Sequence, residues 1–325
     1  MEETKPRKFN VESSPHVSAA NYKYKVMWLV VLALLPAAIF GVATFGIHSL
    51  MIIFTAVATA VLTEALFEKI RKKPISVEQG PAVITGLLLA LALPPTVPLW
   101  IPVLGSFVAI AIAKHAFGGA GMTIFNPALV GRAFLVVSFP VLLTNYIWPD
   151  GITAASPLSM LKIQGYESAI THFGGQLLAY KSLLIGNISG TIGETSAILL
   201  LIGGLFLIYK KIIDWKIPTI YIGTVFILTL LFGQDPMFHI LGGGLFLGAF
   251  FMATAYEGMP ITKNGRIYFA IGLGLLTSVI RVFGGYPEGV NFSILLMNAA
   301  APLIERLTIN KPFGFIKKKE EKKNE

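Results

Sequence analysis

The fold class of this chain is decided by residues 26–46, VMWLVVLALLPAAIFGVATFG, which contain no charged side chain. About 20 consecutive apolar residues suffice for an α-helix to cross the hydrocarbon core of a bilayer. The stretch is too long for the apolar region of a signal peptide and follows a mixed-charge arm, residues 1–25, so a cleaved leader is not expected. It therefore predicts a helix that spans a membrane.

The composition extends this prediction to the whole chain of 325 residues, of which 54% are hydrophobic and 13% charged. That apolar fraction exceeds the average of soluble domains. The net charge of +9 lies largely in loops and tails, which is typical of a membrane protein and not of a nucleic-acid partner. Cysteine is absent and the five histidines show no paired spacing, so neither an iron–sulfur cluster, a disulfide nor another protein-ligated metal centre is expected.

Ten apolar segments predict an all-α integral membrane protein with about ten transmembrane helices. The third and eighth segments are short, and each ends in turn residues, Pro94-Pro95 and Gly258-Met259-Pro260. A helix that stops inside a membrane requires protein or a polar cavity to satisfy its free backbone groups, so these helices are predicted to be interrupted. The segments are 26–46, 47–67, 81–96, 99–116, 124–143, 193–209, 217–233, 238–255, 267–283 and 289–305.

Lysine and arginine are distributed unevenly between the loops. They crowd the N-terminal arm, recur at Lys69–Lys73 and Lys210–Lys216, and fill the C-terminal tail, whereas the alternate loops at 44–49 and 233–236 carry none. The positive-inside rule then predicts that both termini are cytoplasmic and that residues 144–192 are extracytoplasmic. The predicted parts are a cytoplasmic arm (1–25), a first five-helix repeat (26–143), an extracytoplasmic segment (144–192), a second five-helix repeat (193–307) and a basic cytoplasmic tail (308–325).

An internal repeat relates the two halves. Phe117-Gly118-Gly119-Ala120-Gly121 precedes the fifth segment as Phe283-Gly284-Gly285-Tyr286-Pro287 precedes the tenth, and Gly86–Ala90 similarly parallels Gly248–Met252. Because each half holds an odd number of segments, the second half is predicted to be inverted. Inverted repeats with interrupted helices commonly enclose a site near the membrane midplane, so the repeat alone suggests a channel or carrier.

A polar stretch, DGITAASP at residues 150–157, interrupts the apolar pattern between the halves. An Asp followed three residues later by Ser or Thr, two small residues and a second hydroxyl resembles the acceptor signal that flavin transferases modify. The resemblance implies that FMN is joined through its phosphate to Ser156, with Asp150 and Thr153 as recognition residues. The structural alternative is an ordinary hydroxyl that begins a turn before Pro157.

Several stretches, in order along nearly the whole chain, resemble one membrane family. They are similar to the D subunit of the Rnf complex, the ion-translocating ferredoxin:NAD⁺ oxidoreductase, and to its relative, the B subunit of the sodium-pumping NADH:quinone oxidoreductase. The chain length favours the Rnf family member. The matching stretches are Ser14-Pro15-His16, Thr85–Leu91, FNPALVGR at 125–132, Gly193–Ala197 and RVFGGYPEGVNFSILLMNAAAPLIER at 281–306.

This chain departs from the family pattern at two positions. The family usually has Thr at the flavin attachment position, where this chain has Ser156, and a serine hydroxyl can form the same phosphoester. The family normally has Asp after Phe251-Met252-Ala253-Thr254, where this chain has Ala255, which leaves Glu257 as the nearest carboxylate.

Further residues are assigned by the physical cost of their positions. Arg132 lies within an apolar segment, where a cation pairs with an acid of the bundle or of another subunit, or binds the flavin. Thr191, Gly193 and Glu194 have capping-box spacing and predict the start of the sixth helix, with glycine allowing a flavin to approach. Asn126 either lines a cavity, as part of the flavin environment that the resemblance implies, or bonds between helices. Charges near segment ends, namely Glu64, Glu68, Lys114, Glu257, Arg281 and Glu305, are predicted to be interfacial.

The resemblance implies a flavoprotein subunit of the prokaryotic inner membrane that takes part in electron transfer from reduced ferredoxin to NAD⁺ and drives Na⁺ or H⁺ across the membrane. It implies partner subunits of the A, B, C, E and G types, a flavin transferase for maturation, surrounding lipid, and a second, noncovalent flavin such as riboflavin. Two alternatives stay open from the residues, a quinone-reductase-type subunit and a small-solute channel or carrier with a urea-channel-like fold.

Overall fold

The computed structural model describes residues 20–72, 77–119 and 121–309. Most of the N-terminal arm and the tail from residue 310 lie outside the described residues. The first half contains α1 (Ala20–Phe45), α2 (Ile47–Ile70), a 3₁₀ turn (Val77–Gln79), α3 (Pro81–Leu91), α4 (Trp100–Val108) with a π-helical continuation (Ala109–His115), α5 (Pro127–Ser138) and α6 (Pro140–Leu143). A hairpin of β1 (Tyr146–Ile147) and β2 (Thr153–Ala154) follows, with α7 (Pro157–Gln164), α8 (Tyr166–His172) and α9 (Gln176–Ile185). The second half contains α10 (Ala197–Tyr209), α11 (Lys216–Leu231), α12 (Pro236–Leu241), α13 (Leu245–Leu247) with a π-helical continuation (Gly248–Met252), α14 (Lys263–Phe283) and α15 (Val290–Thr308).

The chain is a helical membrane protein. In the described residues, Tyr24–Phe45, Ile47–Ile70 and Lys263–Phe283 are long and apolar enough to cross a bilayer. Shorter apolar helices occupy most of the remaining predicted segments. The prediction of an all-α membrane protein is therefore confirmed in its helical character, and the β-structure of the described residues is one short antiparallel hairpin.

The third apolar segment is interrupted, because α3 ends at Leu91 and the chain turns through Pro94 and Pro95. Two backbone N–H groups in the turn before α10 pair with the carbonyl groups that this ending leaves free. Gly193 N donates to Leu91 O at 2.7 Å, and Ile192 N donates to Leu93 O at 3.0 Å. A buried helix end needs such partners, so the turn before α10 stabilises the break in α3.

The eighth segment is interrupted, as predicted, but it breaks at Gly243-Gly244, well before the predicted turn at Gly258-Met259-Pro260. Helix α12 ends at Leu241, and Gly243 and Gly244 both have positive φ values, 67° and 65°. The guanidinium group of Arg281 donates to the carbonyl oxygens of His239, Gly242 (3.2 Å) and Gly243 (3.0 Å). A buried cation on α14 thus satisfies the C-terminal carbonyls of α12, so the prediction that Arg281 is an interfacial charge is wrong.

The two halves share one hydrophobic core, in which α1 packs against α10 and α5 against α15. Gly203 of α10 illustrates how closely the halves approach, since a Cβ atom there would lie 2.4 Å from Ala33 O. Small residues at such contacts allow helix backbones to pack tightly in a membrane, where apolar burial gives no drive for helix association. The arrangement fixes the connection between α5 and α10, which holds the candidate site.

Candidate functional site

The connecting segment, residues 144–192, begins with a hairpin that exposes two residues of the flavin signal. Asp150 and Gly151 form its tip, with Gly151 at φ 80°, and Trp148 N donates to Ile152 O at 2.8 Å. Asp150 and Thr153 are both exposed. An external protein can therefore contact the side chains that the sequence analysis assigned to transferase recognition.

Ser156 itself is buried, with 6% of its surface exposed, at the start of α7. Its Oγ accepts a hydrogen bond from Ser159 N at 3.3 Å and lies 2.8 Å from Ser159 Oγ. Pro157 occupies the first helical position, where a missing N–H costs nothing. The hydroxyl is thus the N-cap of a helix, which is the geometry of the structural alternative and which also places Ser156 at a helix N-terminus.

A narrow cleft beside Ser156 lies between the connecting segment and the second half. Its lining includes Gly190, Glu194, Gly243 and Glu288. The structure therefore brings together Ser156 and Glu194, which the sequence analysis assigned to one site. Glu288 was missed, because in sequence it stands in the loop before the tenth segment and no signal marks it as a partner of Arg132.

A buried charge network lies behind this cleft. Arg132 of α5 forms a hydrogen-bonded ion pair with Glu288, and its Nη1 lies 4.0 Å from Glu194 Oε1. Tyr146 donates its hydroxyl hydrogen to Glu288 Oε1 at 2.7 Å, and Arg281 Nε donates to Glu288 O at 2.8 Å. Two arginines and two glutamates thus share one network. Arg132 was predicted to pair with an acid of the bundle or of another subunit, or to bind the flavin. In the structure it pairs with acids of its own chain.

The predicted capping box does not form. Helix α10 begins at Ala197 with Ser196 in the N-cap position, and residues 191–196 form a turn. This turn contributes the N–H groups that pair with the end of α3. Gly193 is required for that contact, because a Cβ atom there would lie 2.6 Å from Leu91 Cβ. Tertiary packing at the broken helix outweighs the local capping preference of Thr191 and Glu194.

Asn126 lies apart from the residues that line the Ser156 cleft. Its Oδ1 caps α5 by accepting from Ala128 N at 3.1 Å, and its Nδ2 donates to Met252 O at 3.2 Å. The surroundings of Asn298 orient its amide so that the oxygen accepts from Asn126 N at 3.1 Å. Asn126 also lines a separate cavity of about 120 Å³ between the halves, together with Lys114 and Glu257. It therefore both bonds between helices and lines a cavity.

Glu64 and Lys114 form a buried ion pair between α2 and the π-helical continuation of α4. Lys114 Nζ lies 2.6 Å from Glu64 Oε1, and Lys114 and Glu64 are 2% and 0% exposed. The prediction that these charges are interfacial is wrong. Each was assigned from its distance to a segment end, whereas their contact joins residues 50 positions apart.

Glu257 connects the second half to the glycine-rich loop before α5. Its carboxylate accepts from Gly121 N at 2.9 Å and from the hydroxyl of Thr123. Glu257 also lines the cavity that Asn126 lines. It is thus exposed, as predicted for an interfacial charge, but it also links the two halves.

Asp235 anchors the connecting segment to the second half. Its carboxylate accepts hydrogen bonds from the hydroxyls of Tyr166 (2.8 Å) and Tyr180, and it caps α12 through Met237 N at 3.0 Å. Burial acts to raise the pKa of Asp235, but the hydrogen bonds from Tyr180, Tyr166 and the backbone outweigh it and lower this pKa below its usual 3.8. Burial, with the nearby carboxylate, raises the pKa of both tyrosines.

We expect Asp235→Ala to loosen α8 and α9 at neutral pH, at a cost of about 1–2 kcal/mol, because it removes the cap and both tyrosine contacts. Asp235→Asn retains capping and serves as the milder control. Because the folded pKa is lowered, the contribution of the charge is complete above the unfolded pKa near 3.8 and is lost as the pH falls further. Hydrogen exchange of residues 166–180 measures this effect, and equal protection in the wild type and Asp235→Ala at pH 7 would contradict it.

These features define a class, namely helical membrane proteins whose two halves enclose buried ion pairs and interrupted helices. Residues 10–314 match the model of the NQR2, RnfD, RnfE family. The chain belongs to this family.

Three similar proteins cover nearly the whole chain, and each is the D subunit of an ion-translocating complex. That of the proton-translocating ferredoxin:NAD(+) oxidoreductase complex of Clostridium ljungdahlii is 53% identical over 318 residues, which are 94% of this chain and 96% of the relative. That of the Na(+)-translocating ferredoxin:NAD(+) oxidoreductase complex of Acetobacterium woodii is 48% identical over 96% of this chain and 98% of the relative. That of the ion-translocating oxidoreductase complex of Aliivibrio salmonicida is 33% identical over 94% and 98%, respectively.

Proposed function

We propose that this chain is the D-type membrane subunit of an Rnf complex, which couples electron transfer from reduced ferredoxin to NAD⁺ with translocation of an ion. Similarity over nearly the full length to two proteins of ferredoxin:NAD(+) oxidoreductase complexes carries the proposal and favours it over a quinone reductase or a solute channel. One of these relatives is named for proton translocation and the other for Na⁺ translocation, so the experiment below measures the transport of both ions. The partners are the other subunit types, A, B, C, E and G.

The proposed topology has ten membrane crossings in two inverted halves. Helix packing supports this repeat, since α2 packs against α3 and α4 as α11 packs against α12 and α14. The contacts between halves are also paired, first helix with first and last with last, as α1 with α10 and α5 with α15. In the inner membrane of a prokaryote, the unequal distribution of basic residues supports cytoplasmic termini and an extracytoplasmic connecting segment.

The proposed cofactor is FMN attached to Ser156, and the residues present fit a phosphoester there. An anion at this position would stand at the N-terminus of α7, where the helix dipole and free N–H groups favour negative charge. The network behind it contains Arg132 and Arg281 beside Glu194 and Glu288. Once bound, the flavin supplies a one- or two-electron relay.

Attachment requires the Ser156 hydroxyl to leave its capping position. The Oγ–phosphorus bond forms while the phosphoanhydride of a flavin dinucleotide donor breaks, and the hydroxyl proton departs with the nucleoside monophosphate. A transferase that binds the exposed Asp150 and Thr153 at the hairpin can displace the chain before α7 and so expose the Ser156 hydroxyl. The same transferase is therefore a proposed maturation partner.

The second proposed cofactor is a noncovalent flavin such as riboflavin between the halves. The cavity of about 120 Å³ supports this, because largely apolar walls carry a few polar groups, including Lys114, Asn126 and Glu257. A whole flavin ring exceeds that volume, so the halves would have to separate around it. Surrounding lipid covers the exposed apolar side chains of the spanning helices.

We expect Ser156→Ala to abolish covalent flavin. The protein is co-expressed with a flavin transferase and the complex subunits, and ultraviolet fluorescence of its band is measured in a denaturing gel. Ser189→Ala is the matched control, because Ser189 is also a buried hydroxyl of the connecting segment and donates to Ala155 O at 2.7 Å. Fluorescence should persist in Ser189→Ala and in Ser156→Thr.

The same variants test the coupled reaction in membrane vesicles. Ferredoxin-dependent reduction of NAD⁺, with uptake of ²²Na⁺ or acidification of the lumen, should fall to background in Ser156→Ala and stay near wild type in Ser189→Ala. A fluorescent Ser156→Ala band, or a dark wild-type band beside a modified control substrate, would refute the attachment. Absence of ferredoxin-dependent activity in the assembled wild-type complex would refute the wider assignment.

A further inference from the structure

A pocket of about 50 Å³ opens next to Ser156, between the base of the hairpin and the start of α15. Its lining includes Arg132, Tyr146, Ser159, Tyr286 and Asn291. Ser159 connects this pocket to the proposed attachment point, because its hydroxyl lies 2.8 Å from Ser156 Oγ. A group tethered to Ser156 therefore has this pocket within immediate reach.

Asn291 contributes a buried amide that is not used within the protein. It lies in the first turn of α15 and is 5% exposed, and neither its Oδ1 nor its Nδ2 has a hydrogen-bond partner among the described residues. Arg132 Nε, in the same pocket, likewise has no partner in that part of the chain. Leaving a buried polar group unpaired is destabilising, so an amide kept here indicates a polar ligand.

The rim and walls of the pocket fit a flat aromatic ring. Tyr286 stands at the rim with 43% of its surface exposed, and its ring contacts that of Phe292 with centroids 5.0 Å apart. Val136 and Leu143 form apolar walls. The volume admits the edge of a ring system, and the remainder would lie outside against Tyr286. Offset stacking on an aromatic side chain stabilises such an arrangement.

We propose that Asn291 and Arg132 bind the pyrimidine edge of the isoalloxazine ring attached through Ser156, with Tyr286 stacking on the ring. An amide presents a donor and an acceptor side by side, which matches the adjacent N–H and carbonyl groups of that edge. Arg132 Nε, which has no hydrogen-bond partner among the described residues, supplies a second donor to a ring carbonyl, while its Nη2 stays paired with Glu288. This inference rests on the proposed attachment of FMN at Ser156, and it makes Asn291 a positioning residue that tunes the flavin.

The test uses the assembled complex with Asn291→Leu, which keeps the number and branching of the side-chain heavy atoms and removes both polar atoms. Asn187→Leu is the matched control, since Asn187 is an exposed amide of the connecting segment. Denaturing-gel fluorescence reports attachment. Native absorbance and a redox titration report the ring environment. We expect unchanged attachment in both variants, and in Asn291→Leu alone a shifted flavin spectrum and about a tenfold change in the oxidised-to-reduced ratio at fixed potential, which is the size of effect that a hydrogen bond to a charged group produces.

Tyr286→Leu gives a second test that does not disturb a buried position, and it should raise native flavin fluorescence by removing the stacked ring. An attached flavin with wild-type spectrum and potential in folded Asn291→Leu would overturn the inference and leave the attachment intact. If Asn291→Leu fails to assemble, unchanged fluorescence in Tyr286→Leu overturns it instead. A dark wild-type band in the denaturing gel would overturn both the attachment and this inference.

Discussion

Arg132→Leu is expected to destabilise the protein by about 3–5 kcal/mol, because it leaves the half-buried carboxylate of Glu288 and the buried Glu194 without their cation. Glu288 loses its ion pair and Glu194 loses a cation at 4.0 Å, while Arg281 stays engaged with backbone carbonyls. The loss is large compared with the net stability of a folded domain. The measurement is thermal unfolding of the detergent-purified protein, read by size-exclusion chromatography after heating.

Two variants separate the roles of charge and geometry at this position. Arg132→Lys keeps the charge but not the planar guanidinium group. Its unfolding temperature should therefore lie between those of the wild type and Arg132→Leu. Combining Arg132→Leu with Glu288→Gln removes one of the uncompensated charges and should recover part of the loss. A wild-type unfolding temperature for Arg132→Leu would mean that the ion pair with Glu288 does not contribute to stability.

The positions of the helices could be predicted because apolar runs and loop charges are local properties of the sequence. Residues 26–45 fall within α1, and α14 covers the predicted ninth segment. The interruptions were harder to predict. Pro94-Pro95 marks the break after α3, whereas the break at Gly243-Gly244 depends on Arg281, which approaches from a different helix.

The candidate site shows the same limit. The pattern at 150–157 identified a polar stretch and its hydroxyl, but it carried no information that Asp150 is exposed and Ser156 buried. Glu288 meets Arg132 across 156 positions, a contact that one sequence cannot specify. The capping box failed for the same physical reason. Its local preference is smaller than the gain from pairing the free carbonyls of α3 with the turn at Ile192 and Gly193.

Lys114→Met is expected to cost about 3–5 kcal/mol, because Glu64 is then a buried carboxylate without its partner. Burying two charges is itself expensive, so replacing both partners by apolar residues is often neutral or stabilising. The double variant Glu64→Leu with Lys114→Met should therefore unfold above the temperature of the single variant and close to that of the wild type. The free energies of unfolding of the wild type, the two single variants and the double variant form a double-mutant cycle, which gives the coupling energy of the pair.

This cycle also distinguishes a structural pair from a functional one. If the pair only stabilises the fold, the double variant should assemble and retain ferredoxin-dependent ion transport along with its stability. A stable, assembled double variant that reduces NAD⁺ but moves no ion would show that the charges serve translocation, because their removal would then cost transport and not folding. A double variant as unstable as Lys114→Met alone would show that the lost stability does not come from an unpaired Glu64. It would come instead from lost packing around the aliphatic part of the lysine side chain.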